Sequence, residues 1–115
     1  MRHVDRAVVL GSRLGITDNG VLTAVLLCRL IATREEIETP AIVLDVQAGE
    51  SRRGTAYGCE YVRRLMEAAG VTRWEDLPGT VVRLDVDRSQ SYPVQAIGHA
   101  TANIWLDPYA LAAEM

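Results

Sequence analysis

A chain of 115 residues is one domain's worth, long enough to bury about two-thirds of the surface its unfolded form exposes. An apolar share of 49% and a charged share of 23% are ordinary for a globular protein and exclude a disordered or disulfide-dependent chain. The net charge of −3 argues against non-specific duplex binding, which wants a basic surface, and all 12 cations are arginine, a planar fork suited to phosphate or carboxylate.

In chain order, residues 6–16 (RAVVLGSRLGI) and 21–31 (VLTAVLLCRLI) flank TDNG. Asn19-Gly20 between β-branched arms predicts a hairpin whose turn takes positive φ at both central residues. Gly11 and Gly15 suggest a bulge or a close backbone approach. TREEIET is polar, Pro40 bars a helix there, and AIVLDVQ (41–47) predicts a third strand. From Thr55 the period changes: Gly58, Cys59, Val62, Leu65, Met66 and Ala69 fall on one helix face, with Glu60, Arg63, Arg64 and Glu67 on the other. Gly70-Val71 predicts a left-handed C-terminal cap. Thr72 and Glu75 have capping-box spacing for a short turn that Pro78-Gly79 ends. Residues 80–87 alternate Val82, Leu84 and Val86 against Arg83, Asp85 and Asp87, and 93–101 predicts a last strand. Asp107-Pro108 opens a short terminal helix. The expected architecture is a single α+β domain over 1–115: an antiparallel sheet of about five strands with one main helix packed on it.

Cys28 and Cys59 lie far apart in apolar stretches, without CxxC or Cys/His clustering, and read as reduced core thiols. The first residues lack an apolar signal core, and no run reaches the ~18 apolar residues of a spanning helix. A cytoplasmic compartment is expected, with no membrane contact.

The segment ESRRGTAYGCEYVRR, residues 50–64, carries the functional question. Helix N-termini attract anions through unpaired N–H groups. Gly54 permits a tight turn or a close ligand, Arg52 and Arg53 supply forks, and the Thr55 hydroxyl can cap the helix or hold a phosphate. Tyr57 offers a ring on which a base stacks. The plain alternative is a cap with two solvated arginines. Asp85 and Asp87 read as a solvated strand face, and no metal or cofactor site is expected. His99 precedes Asn103, Trp105 and Asp107; the group reads as a polar pocket edge or as a structural histidine. Trp74 and Trp105 suit half-buried positions or the core. No nucleophile–base pair is evident, so an enzyme is not expected.

TDNGVLTAVL, RRGTAYGCEYVRRLMEAAGVTRWEDLPGTVVRL and AIGHATANIWLDP together resemble the phage-encoded Thoeris anti-defence proteins of the first type, loosely over residues 6–46 and well over 52–108. That family sequesters cyclic ADP-ribose isomers made by bacterial TIR proteins, without cutting them, and some members also capture cyclic oligonucleotides and assemble as dimers or larger oligomers. The chain departs in lacking any glycine from Val21 to Ala48, where the family has a glycine-rich run, and in reading DNG where the family favours DHG. The resemblance implies a non-catalytic sponge for a cyclic nucleotide in the host cytoplasm during infection, with no cofactor and a homodimer or higher oligomer. Arg53, Gly54, Thr55 and Tyr57 would face the ligand's phosphate and base, with His99 and Asn103 at the pocket edge; Arg52 is a further ligand-binding candidate from the segment itself. The alternative is a small phage inhibitor acting by protein contact, such as an anti-CRISPR protein, through Glu35, Glu36, Asp85 and Asp87.

Overall fold

The computed structural model describes residues 2–115. Its strands are β1 (Arg2–Ile16), β2 (Leu22–Leu30), β3 (Glu36–Glu38), β4 (Ile42–Val43), β5 (Asp45–Ala48), β6 (Ser51–Gly54), β7 (Val81–Asp87), β8 (Val94–His99) and β9 (Trp105–Leu106). The helices are α1 (Ala56–Ala69) and α2 (Pro108–Glu114), with a 3-10 turn at Trp74–Asp76. The main antiparallel sheet runs β3-β2-β1-β7-β8-β9, with β4 also on the β2 edge, while β5 and β6 form a separate hairpin. This is the α+β architecture that the sequence predicts.

Alternation sorts the sheet into two faces. Ala7, Val9, Ala24, Leu26, Cys28, Leu30, Val82, Leu84 and Val86 form the inner face and are buried in one core, which α1 closes with Tyr61, Leu65 and Ala68. The register places Arg6 opposite Arg83 and Val8 opposite both Arg29 and Val81 on the other, outer face.

Local chemistry sets the boundaries. The expected bulge occurs between Val9 and Gly11. The hairpin turn differs from expectation: Gly20 has φ 81, but Asn19 does not share it, since Arg34 is the only non-glycine at positive φ among the described residues. Thr17 instead closes a longer loop, its carbonyl accepting from Gly20 N–H and its own N–H donating to Val21, as in three-residue hairpin loops with glycine at the left-handed position. Residues 41–47 do not make one strand. Leu44 breaks it, because its carbonyl turns to accept from the backbone and hydroxyl of Thr55, and the halves join different sheets. Residues 36–38 form a strand despite their charge, since only Ile37 points inward against Cys28. Where Pro40 interrupts the edge, the Thr39 hydroxyl accepts from Leu26 N–H at 2.9 Å and keeps that donor satisfied.

Helix α1 is rotated from the predicted face. Gly58, Tyr61, Leu65, Ala68 and Ala69 are buried, whereas Cys59 is exposed, so it is not a core thiol. Gly58 sets this rotation, because its missing side chain lets the first turn lie on the Leu44 backbone. At the far end Gly70 has φ 77, with Gly70 N–H on Glu67 and Val71 N–H on Met66, the paired bonds of a glycine-terminated helix. The 3-10 turn lacks the expected capping box: Arg73 is its N-cap without a side-chain cap bond and grips Asp76 instead. Asp107 caps α2 as predicted, accepting from the amides of Tyr109 and Ala110.

Candidate functional site

Thr55 sits at the N-cap with extended backbone. Its hydroxyl donates to Leu44 O at 2.8 Å and accepts from Gly58 N at 2.9 Å. This hydroxyl is a cap and a tie to the sheet edge, so the phosphate-holding alternative has only a remaining lone pair to use. Gly58 is fixed by the fold: a Cβ there would lie 2.1 Å from Leu44 O. Gly54 is not. Its φ is not positive, and a Cβ would meet nothing within 4 Å, so the fold itself makes no demand for glycine at this position.

Gly54 also lines a cavity of about 370 Å3, together with Leu14, Leu22, Leu44, Thr55, Gly58, Cys59 and Val62. Three of these come from the GTAYG segment; the rest come from the far end of the β1–β2 hairpin, the strand break and α1. The volume falls in the range of small-molecule pockets, about 300–1,000 Å3. Leu14 and Ile16 are exposed beside it, Ile16 at 74%.

The two arginines have different roles. Arg52 is turned onto Asp45, with Nη2 donating to Oδ1 at 2.8 Å and a longer contact to Gln47. The Leu22 amide also donates to Asp45, at 3.1 Å. The Arg52 fork, helped by that amide, holds the Asp45 carboxyl below its ordinary range against the opposing effect of desolvation. Arg52 therefore positions Asp45, whose carboxylate ties the β5–β6 hairpin to β2 through the Leu22 amide, and the Arg52 Nε is buried without a partner. Arg53 is exposed on the opposite hairpin face, in register with Val46.

Tyr57 leaves this cavity. It projects to another side of α1, where its hydroxyl donates to Pro108 O at 3.3 Å and its ring packs near Tyr61. There it lines a separate cavity of about 290 Å3 with Pro40, Ile42, Pro108 and Tyr109. Burial pushes its phenol above the ordinary value, with Tyr109 and Asp107 adding to the shift.

His99 lies at the other end of the helix. Its Nδ1 accepts from the amides of Thr101 and Ala102 at 3.1 and 3.0 Å, so the neutral ring carries its hydrogen on Nε2. A Cβ at Gly70 would be 2.9 Å from that Nε2, which places His99 against the α1 C-terminus. The helix separates it from Thr55 by about 22 Å. Asn103 is exposed in the β8–β9 loop that follows His99, the last residue of β8. The predicted residues thus do not converge: Gly54 and Thr55 line the cavity, Arg53 lies on the other face of the hairpin, Arg52 is engaged by Asp45, Tyr57 lines the second cavity, and His99 and Asn103 lie at the opposite end of the helix.

Several contributors were not anticipated from sequence. Asp45 is one; a carboxylate inside the apolar run AIVLDV signals a buried partner. Leu14, Leu22 and Val62 line the cavity without any motif to announce them. At the His99 end, Arg83 donates to His99 O and Ala102 O at 2.7 Å each and lies 4.9 Å over the Trp105 ring. That ring rests on Gly98, where a Cβ would be 2.7 Å away.

Among the described residues no cluster of three His, Cys, Asp or Glu suits a metal, and no helix is long and apolar enough to cross a membrane. Compared with known proteins, the chain matches no family model, no curated protein and no solved structure.

Proposed function

We propose that this chain is a non-catalytic binder that captures and holds an intact cyclic nucleotide signal, a cyclic ADP-ribose isomer or a cyclic oligonucleotide. The observation that carries the reading is the cavity at the helix start, walled by Gly54, Thr55 and Gly58 on one side and by leucines on the other. Its apolar walls suit the flat part of a nucleotide. The space over Gly54 lets a ligand approach the backbone, and the N-terminus of α1 favours negative charge beside it. Arg53, next to Gly54 in the chain and exposed on the other face of the hairpin, offers a fork to a phosphate that extends past the hairpin edge. The sequence resemblance points to the same segment.

A sponge needs slow release and no general base. A second copy of the chain, which the resemblance implies, would cover the exposed Leu14 and Ile16 beside the cavity. The protein-contact alternative has less free acid than its sequence suggests, because Glu35 is held by Arg88 and Asp87 accepts from Ser89.

Calorimetric titration with cyclic ADP-ribose isomers and cyclic di- and trinucleotides tests the reading. Binding of one class is expected, and Gly54→Val, which fills the cavity from a strand position that tolerates valine, should abolish it without unfolding the protein. Equal binding by Gly54→Val would remove the helix start from the site.

A further inference from the structure

The outer face of the sheet carries cations that ion pairs leave unanswered. Arg6 and Arg83 stand directly opposite each other on β1 and β7, a like-charge arrangement that costs stability. Arg29 faces Val8, two residues further along β1. Elsewhere Arg52, Arg64, Arg73 and Arg88 are all paired with carboxylates, but among the described residues no carboxylate pairs with Arg29 or Arg34.

Arg29 and Arg34 flank a depression of about 330 Å3 whose remaining lining is Val8, Leu30 and Ile31. Arg34 holds φ 65, a left-handed conformation that glycine adopts far more readily. Its amide donates to Leu30 O while Leu30 N donates to Glu35 O, so the β2–β3 turn is fixed by backbone bonds and makes no use of the arginine side chain. The neighbouring carboxylate is engaged elsewhere: Glu35 accepts from the two terminal nitrogens of Arg88, Nη2 at 2.6 Å and Nη1 at 3.0 Å. Glu36, the register partner of Arg29, lies exposed at the β3 edge. An arginine at a position where glycine serves the turn better, beside a second fork without an ion pair and the apolar side chains of Val8 and Ile31, fits a ligand with an anionic end and an apolar body.

We propose that this depression is a second binding site, separate from the helix start, for a small organic phosphate. Arg29 and Arg34 grip phosphoryl oxygens, and the side chains of Val8 and Ile31 support the body of the ligand, Leu30 giving only backbone because its side chain lies in the core. Phosphoryl charge is common to free phosphate and to its esters, so the test uses both. Amide spectra of the 15N-labelled protein are recorded during titration with inorganic pyrophosphate and, separately, with a nucleoside 5′-diphosphate.

Saturable shifts confined to Val8 and residues 29–36, tighter for the nucleoside diphosphate, are expected. Arg29→Ala and Arg34→Gly should each weaken binding about tenfold or more, as loss of a charge-assisted bond does. Arg34→Gly should also melt no lower than the wild type, so that weakened binding reports the side chain and not the fold. The proposal is overturned if neither ligand shifts these amides, if Arg34→Gly binds as the wild type does, or if the shifts fall only at residues 54–59. Equal affinity for pyrophosphate would overturn the role of the apolar floor and leave a simple phosphate site.

Discussion

Replacing Gly58 by alanine separates what the GTAYG segment does for folding from what it does for a ligand. The added Cβ would stand 2.1 Å from Leu44 O and 2.7 Å from Leu44 Cα, where contacts of about 3.5 Å or more are normal. Relief requires the helix start and Leu44 to separate by about 1 Å. Leu44 resists: its amide donates to Leu22 O at 2.9 Å, and its carbonyl takes the Thr55 amide at 3.2 Å and the Thr55 hydroxyl at 2.8 Å. Loss of both Thr55 bonds costs about 2 kcal/mol, and overpacking adds about 1–3 kcal/mol. Alanine's better helix propensity returns about 1 kcal/mol. The expected net destabilisation is about 2–4 kcal/mol, read from the urea midpoint at unchanged slope, with Tm lower by roughly 10 °C. Gly54→Ala is the control. With nothing within 4 Å of its Cβ, it should stay within about 0.5 kcal/mol of the wild type. A Gly58→Ala protein as stable as the wild type, or a Gly54→Ala protein equally damaged, would refute this account of the two glycines.

The two thiols should differ in reactivity. Cys28 is fully buried and its thiol is pushed up to about 12 by burial, whereas Cys59 is exposed; a disulfide reagent should label one thiol in native protein and the second only on unfolding. Ligand held in the helix-start cavity should slow labelling of Cys59, and unchanged labelling in saturated protein would count against that placement. Acid should loosen the β5–β6 hairpin. The Asp45 carboxyl titrates below its ordinary range when folded, so its contribution is present above the unfolded value near pH ~4 and is lost as pH falls through the depressed folded value. Asp45→Asn should therefore show a shallower loss of stability below pH ~4 than the wild type, measured by urea unfolding across pH, and an identical slope would remove Asp45 from the acid response.

The parts of the fold legible in sequence are those governed by local chemistry. The period change at Thr55, the glycine after Ala69 and the Asp107-Pro108 pair all act within a few residues, and the structure uses each as expected. The β1–β2 arms and the alternation of 80–87 carry their inner face on the surface of the text. Strands β3, β6 and β9 carry no such signal, being two to four residues long and made by pairing across the sheet. The rotation of α1 was hidden for a similar reason: Cys59 and Tyr61 compete for the inner face by composition, and contact between Gly58 and a distant backbone decides between them.

For the site, the residues beside the helix start were visible and their partners were not. Arg52 and Arg53 read alike in sequence, yet alternation sends one to Asp45 and the other to solvent. Tyr57 is two residues from Thr55 but about 200° around the helix, which carries it to another cavity. His99 and Asn103 lie a helix length away, a separation that spacing along the chain does not encode.

The central claim is capture without conversion, and one measurement bears on it directly. Pure protein is incubated with a cyclic ADP-ribose isomer or a cyclic oligonucleotide, filtered, and the free ligand assayed; the retained protein is then heated and the released material analysed. The account predicts that ligand disappears from the filtrate and returns chemically intact on heating, and that Gly54→Val leaves it in the filtrate. Ligand that stays free in the presence of wild-type protein, or that returns altered, would contradict it.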